Sequence, residues 1–239
     1  MNYAVIVAGG SGHRMGQDIP KQFINVNNKP IILYTLECFQ RHQRIDEIVV
    51  ACIDGWQEAL WAYAKQYGIT KLKTIVSGGE TGQESIRNGV YALERKAAEK
   101  DVVVIHDGIR PLVDDHVLED VIDIAAEKGN AVTSMPFKEQ MFFVDEDPSQ
   151  TKKYIARETL RRVSTPQAYQ FGLLDRKYHE AFETETGIYG SSYTNTMMVE
   201  LGVKLYFAAG SERNIKLTNR DDLDLFKAYL KADSASHEQ

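Results

Sequence analysis

Residues 3–23 read YAVIVAGGSGHRMGQDIPKQF. The run over 3–8 is apolar and rich in β-branched side chains, the pattern of a strand buried on both faces. It stops at Gly9 and Gly10 and passes into a loop that holds Gly12, Arg14, Pro20 and Lys21. In open α/β sheets the loop leaving the carboxyl end of a strand is where ligands bind. Glycine at 9, 10 and 12 removes the Cβ, so that backbone N–H groups can approach phosphate oxygens. A dinucleotide loop needs only backbone and a helix N-terminus for its pyrophosphate. Two added cations, Arg14 and Lys21, point instead to a phosphate on which charge grows during reaction. Pro20 keeps the residue before it out of the helical region and is predicted to hold Lys21 on an extended segment. The glycines by themselves fit a tight structural turn as well, and the loop lacks the G-x-x-x-x-G-K-[ST] spacing of a Walker loop.

Outward from this stretch, β-rich runs alternate with helical patterns. Strands are predicted over 3–8, 47–53, 72–77, 101–107 and 131–137, and helices over 30–40, 56–68, 83–99 and 114–129. Gly68 and Gly129 are C-cap candidates. Such alternation over roughly 130 residues implies a mostly parallel sheet with helices on both faces. After 137 the rhythm changes. QMFFVDED (140–147) and KKYIARETL (152–160) read as two strands of an extended arm, either an edge hairpin or an element that pairs with a partner subunit. A helix near 171–185, a strand over 203–209 and a closing helix over 219–232, with Asn219 as N-cap, complete the chain. With no repeat or linker, 1–239 is expected to form a single domain.

The 239 residues are 43% hydrophobic and carry a formal net charge of −6. The surface as a whole therefore does not attract nucleic acid, and a polyanion must be held by a local cluster of cations. Cys38 and Cys52 are too few for a disulfide framework and sit in apolar runs, as buried thiols do. No signal-peptide pattern and no apolar stretch near the roughly 20 residues of a membrane span is present. A cytoplasmic location is the resulting expectation.

The string AGGSGHRMG followed by PKQF resembles the signature loop of the sugar-nucleotide pyrophosphorylases. It is most similar to the cytidylyltransferases that act on polyol phosphates, in their methylerythritol-phosphate and ribitol-phosphate branches. The resemblance continues in GGETGQESIRNG (78–89), IHDGIRP (105–111), RETLRRVSTPQAYQF (157–171) and NIKLT (214–218). Motifs that agree in order along most of the chain are more specific than any one of them. The resemblance implies a Rossmann-like α/β fold of the nucleotide-diphospho-sugar transferase type, with a protruding β-arm at about 138–163 that joins a homodimer.

Residue by residue, it also implies a site. Ala8, Gly9, Gly10, Gly12, Asp107 and Gly108 would surround the nucleotide, and Gly79, Glu80 and Ser85 would read the cytosine. Asp107 would carry Mg²⁺. Arg14, Lys21 and Lys216 would be catalytic. Lys216, Arg157 and Gln140 would hold the acceptor phosphate, Arg157 coming from the partner's arm. Taken alone, Asp107 reads first as the cap of the next turn and Lys216 as decoration of a strand edge, and Ser85 can serve as a helix cap alongside its other role. Arg157, Arg161 and Arg162 could be solvated cations, and Arg110 either a loop ion pair or a ligand contact. Three positions depart from the family pattern. Gly82 stands where relatives often have arginine, Glu139-Gln140 where Asp-Thr is usual, and Thr194-Asn195-Thr196 in place of Thr-Asp-Asp.

The implied reaction joins CTP and a polyol phosphate to give a CDP-polyol and pyrophosphate. Its nucleophile, a phosphate oxygen, is already an anion, so no general base is needed. This agrees with the absence of an obvious histidine–carboxylate pair, and His106 reads as structural. HDGIRP looks more like the alditol branch than the HDAARP of the isoprenoid branch. Gln140 and Asn195 offer amides to extra hydroxyls. The expected acceptor is therefore an alditol phosphate such as ribitol 5-phosphate, with methylerythritol phosphate as the alternative. Two other classes remain at this point: a dinucleotide-dependent oxidoreductase, which leaves Arg14 and Lys21 without a purpose, and a non-catalytic nucleotide-binding protein.

Overall fold

Val5 and Ile6 are buried on opposite faces of the first strand, which is why that run is apolar without alternation. The computed structural model describes residues 1–10, 19–190 and 193–236. Gly12 and Arg14 lie outside the described residues.

In chain order the elements are β1 (Asn2–Ala8), β2 (Asn25–Val26), β3 (Lys29–Pro30), α1 (Ile31–Arg41), β4 (Glu47–Cys52), α2 (Gln57–Gln66), β5 (Leu72–Ser77), α3 (Gly82–Tyr91) and β6 (Val102–Asp107). There follow α4 (Asp115–Lys128), β7 (Asn130–Pro136), β8 (Met141–Phe142), β9 (Tyr154–Ile155), β10 (Arg161–Gln170), α5 (Phe171–Thr184), α6 (Thr194–Glu200), β11 (Phe207–Ala209) and α7 (Arg220–Ser236). Among the described residues the central sheet has seven strands in the order β11-β7-β10-β6-β1-β4-β5. All neighbours are parallel except β10, which runs antiparallel to both β6 and β7.

One face of the sheet packs Ile32, Leu36 and Phe39 of α1, Leu60 of α2 and Val117 and Val121 of α4. The other packs Ile86 and Val90 of α3, Leu174 and Tyr178 of α5 and Met197 of α6. Burial of each such aliphatic or aromatic side chain contributes about 1.5–3 kcal/mol. A smaller cluster seats Phe226 of α7 against Ile31 and Leu217. Both cysteines are buried free thiols, and burial pushes Cys52 up to about 12. No described helix is long and apolar enough to cross a membrane.

The strand–helix alternation matches the reading of the sequence in type and order through β7, apart from the short β2–β3 pair, and the departures in extent have local causes. The helix expected over 83–99 ends at Tyr91 and gives way to turns. The arm strands expected over 140–147 and 152–160 shrink to the two-residue β8 and β9, followed by a 3-10 turn at Arg157–Thr159. The strand expected over 203–209 is only Phe207–Ala209. NIKLT is not a strand; Leu217 N–H donates to the Ile109 carbonyl at 2.9 Å and pins the segment beside the loop after β6. β10 and α6 were not anticipated as elements. The caps agree better. Gly129 ends α4 with φ +95°, and the Asp222 N–H donates to the Asn219 side chain at 2.9 Å.

Candidate active site

β1 delivers its loop between the carboxyl ends of β4 and β6, with Val7 in register with Asp107. Gln22 fixes that loop. Its amide is buried and donates to the carbonyls of Ala8 at 2.7 Å and Gly10 at 3.0 Å. Gln22 sits in a 3-10 turn, Lys21–Phe23, whose Phe23 ring stacks on Trp56 at 4.4 Å. Lys21 therefore opens a turn rather than lying on an extended segment. Pro20, just before the turn, is extended, with φ −57° and ψ 137°, and its carbonyl accepts the Phe23 N–H that closes the turn.

The two described loop glycines differ in kind. A Cβ on Gly9 would stand 2.4 Å from the Ser85 hydroxyl oxygen and 3.2 Å from the Gly78 Cα, so close packing requires glycine there. A Cβ on Gly10 meets none of the described residues within 4 Å, so their packing leaves that position open toward the cleft it lines. Gly9→Ala is expected to destabilise the fold by about 1–3 kcal/mol, the range of an overpacked site. Gly10→Ala is expected to melt like the parent. Thermal unfolding of the two variants checks the contrast.

Asp107 ends β6 at the floor of the cleft. Its Oδ1 accepts from Lys216 Nζ at 3.1 Å, and its Oδ2 accepts from Arg110 Nε at 2.9 Å and from the Thr165 hydroxyl at 3.3 Å. Burial works against its charge, but Lys216 and Arg110 prevail and hold the carboxyl down to about 2. It is therefore ionised at neutral pH, and 19% of the side chain remains exposed. Arg110 forms the expected loop ion pair and also donates to the Asn214 carbonyl at 2.8 Å. His106 is fully buried, and burial pushes it down to about 4. Its neutral Nε2–H donates to the Arg110 carbonyl at 3.0 Å, a structural role.

The segment 78–86 forms an adjoining wall. Thr81, not Ser85, caps α3, in a reciprocal box with Glu84. The buried Ser85 hydroxyl donates to the Thr81 carbonyl at 3.0 Å and accepts the Gly79 N–H at 2.9 Å. Ser85 and Gly79 thus spend these groups on the loop itself, and Glu80 is exposed. The residues of this segment that line the cleft are Gly82 and Ile86. A Cβ on Gly82 meets none of the described residues within 4 Å, so their packing leaves space for a side chain at this position.

The third wall comes from β10 and the start of α6, through Thr165, Gln167, Tyr193 and Thr194. Only the TPQ and Thr194 positions carried any signal in the sequence. A buried chain of hydrogen bonds holds this wall to α3. The Tyr178 hydroxyl donates to the Gln83 side-chain oxygen at 2.9 Å and lies 2.7 Å from the Thr194 hydroxyl. The cleft so enclosed is about 190 Å³. It continues past Asp107 and Lys216 into a hollow of about 200 Å³ lined by Ser164 and Asn195.

A glycine loop, a lysine beside it and an ionised carboxylate bracketed by two further cations describe a phosphate-handling cleft at the carboxyl end of a parallel sheet. Residues 2–232 match the family described as IspD: 2-C-methyl-D-erythritol 4-phosphate cytidylyltransferase. The chain belongs to this family. It is 58% identical over 228 residues to the Ribitol-5-phosphate cytidylyltransferase of Lacticaseibacillus paracasei, covering 95% of this chain and 97% of the relative. It is 35% identical over 231 residues to the 2-C-methyl-D-erythritol 4-phosphate cytidylyltransferase of Geobacter metallireducens, covering 96% and 97%. The solved 4-diphosphocytidyl-2C-methyl-D-erythritol synthase of Anaerococcus prevotii has the same fold, with a TM-score of 0.81 at 23% identity over 96% of this chain and 98% of that one.

In this cytidylyltransferase Ala8 lines the cleft, whereas two further site candidates lie apart from it. Gln140 and Arg157 line a separate hollow of about 420 Å³ on the arm, with Phe142 and Tyr154. The Arg157 guanidinium is exposed, 3.4 Å from Glu158 and 3.2 Å from the Lys138 carbonyl. The fold thus brings Lys21, Asp107 and Lys216 together but does not bring Gln140 or Arg157 into the same chain's cleft.

Proposed function

We propose that this enzyme transfers the cytidylyl group of CTP to an alditol phosphate, ribitol 5-phosphate being the favoured acceptor, in the cytoplasm and as a homodimer. The acceptor's phosphate oxygen attacks the α-phosphorus in line. The new P–O bond forms as the bond to the β-phosphate oxygen breaks, and pyrophosphate leaves with the electron pair. No proton has to be removed, which suits a cleft whose buried histidine is neutral and pinned. The work is positioning and charge stabilisation. Gly9, Gly10 and Gly12 shape the triphosphate loop. Arg14 and Lys21 meet charge on the reacting phosphorus, and Lys216 meets the acceptor phosphate.

Asp107 fits a hard cation. Its carboxylate is ionised and partly exposed to the cleft, and it is the sole carboxylate lining the cleft among the described residues. A Mg²⁺ there would draw its other ligands from substrate phosphates and water and would neutralise phosphate charge. Lys216 and Arg110 already bracket the carboxylate and hold its position.

The observation that carries the chemistry is the Lys216–Asp107–Arg110 constellation beside Lys21. The observation that favours the alditol acceptor is 58% identity to a relative named for ribitol 5-phosphate, against 35% to one named for methylerythritol phosphate. The test is kcat/KM for the two acceptors at saturating CTP and Mg²⁺, read as pyrophosphate release. A preference of about 10-fold or more for ribitol 5-phosphate is expected, because a site built to pair hydroxyls rejects a ligand that lacks them. A preference for methylerythritol phosphate would overturn the acceptor and leave the chemistry standing. No pyrophosphate with either would overturn both.

A further inference from the structure

Away from the cleft, α5 packs against α3 and the turn that follows it. There Glu94, Asp175 and His179 each offer one ligand atom, and these atoms all lie within 4.8 Å of one another. We propose that these three side chains bind a divalent transition-metal cation, Zn²⁺ being the best suited, and that the cation ties the turn after α3 to α5.

The donor set is mixed and comes from two elements. Asp175 and His179 stand at i and i+4 on α5 and so share a face, while Glu94 reaches in from the turn. His179 Nε2 is 3.3 Å from Glu94 Oε1 and 3.7 Å from Asp175 Oδ1. A tetrahedral site with bonds of roughly 2.0–2.1 Å has edges of about 3.3–3.4 Å. Two of the three edges are therefore already near the length a bound Zn²⁺ would set.

An independent observation concerns Asp175 Oδ1. That oxygen is buried from solvent and has no hydrogen-bond partner among the described residues, an arrangement that costs free energy unless something meets it. The arginines nearby are turned elsewhere. Arg176 donates to Glu99 at 2.8 Å, and Arg87 lies over the Phe182 ring at 4.3 Å. Burial, above all, raises the Asp175 carboxyl, and Glu94 adds to the rise against the pull of His179 and Arg176.

The far side of the imidazole is also arranged. Tyr91 stacks on His179 at 4.5 Å, and its hydroxyl lies 3.2 Å from Nδ1. With Nδ1–H donating to the Tyr91 oxygen, the Nε2 lone pair faces the two carboxylates. A metal-ligating histidine is held through its other nitrogen in this way. Imidazole with two carboxylates favours Zn²⁺, Co²⁺ or Ni²⁺ over Mg²⁺, and three protein ligands leave a position for water.

The experiment uses the metal-free full chain titrated with ZnCl2 and followed by thermal unfolding, beside His179→Ala and Asp175→Asn. At a Zn²⁺ concentration about 100 times its dissociation constant, the parent Tm should rise by roughly 5–10 °C. The rise should be lost in both variants, and millimolar MgCl2 should not reproduce it. His179 is 56% exposed, so its truncation should leave the metal-free fold intact, and Asp175→Asn supplies a second reading. The absence of a Zn²⁺-dependent rise would overturn the proposal, leaving the cluster as a polar contact between the two elements. A rise of the same size in both variants would also overturn it, by placing the metal elsewhere.

Discussion

Lys21→Ala is expected to fold with a near-parental Tm and to lose about 10²–10³ in kcat, the usual loss when one preorganised charge at a reacting centre is removed. The fold is expected to survive because the turn that carries Lys21 is held by others. Gln22 clamps the loop carbonyls, Phe23 stacks on Trp56, and the Phe23 N–H closes on Pro20. The lysine lines the same cleft as Gly10, Asp107 and Lys216. Its charge would count most where negative charge builds on the phosphorus, so kcat should fall much further than CTP affinity. Steady-state kinetics with a separate CTP-binding measurement divides the two. A variant with near-normal turnover would remove Lys21 from the mechanism.

Arg157→Ala is expected to be nearly inactive alone and to be rescued in trans. In its own chain Arg157 lines the hollow on the arm, not the cleft. The arm around it exposes apolar surface that a lone subunit gains nothing from showing: Phe142, Phe143, Val144 and Tyr154, the last two at 72% exposure. A second copy that covers this surface would carry Arg157 toward its neighbour's acceptor site. Equal mixing of Arg157→Ala and Lys21→Ala subunits would then leave about a quarter of the sites with both residues intact. Activity should return toward that level once subunit exchange is verified, for instance by mass-tagged chains. Verified exchange with no recovery would rule out the shared site.

The parallel part of the fold was legible because strands buried on both faces carry one simple mark, unbroken apolar runs such as VVVI at 102–105. β10 lacks that mark. It begins with Arg161 and Arg162 in solvent, contains Pro166, and is buried only from Pro166 to Tyr169, so neither alternation nor continuity betrays it. α6 spans seven residues, too few for a helical period to show. The arm misled in the other direction. QMFFV is strand-like in composition, but its apolar residues are unburied in this chain, so composition there does not report pairing within it. At the site, Lys21, Asp107 and Lys216 were found through their motifs. The Lys216–Asp107 contact closes a separation of 109 residues that no local pattern encodes. The Gln22 clamp and the Thr165 hydroxyl were missed because a glutamine and a threonine look like any others until their partners are in place.

β10 is one continuous piece of chain with two tenants. Its first residues leave the arm directly, and a few positions later Thr165 exchanges hydrogen bonds with the backbone and carboxylate of Asp107. The stretch therefore has a fixed end and a free end for anyone altering this protein. Around Asp145–Gln150 the chain turns in solvent, held mainly by bonds within the turn, so a dye, a tag or extra residues can be accommodated there. Between Leu160 and Thr165 a single inserted residue would enter a strand that pairs with β7 up to Val163 and is already irregular before Gln167, and would turn Thr165 away from its present face. The Thr165 hydroxyl would then no longer meet Asp107.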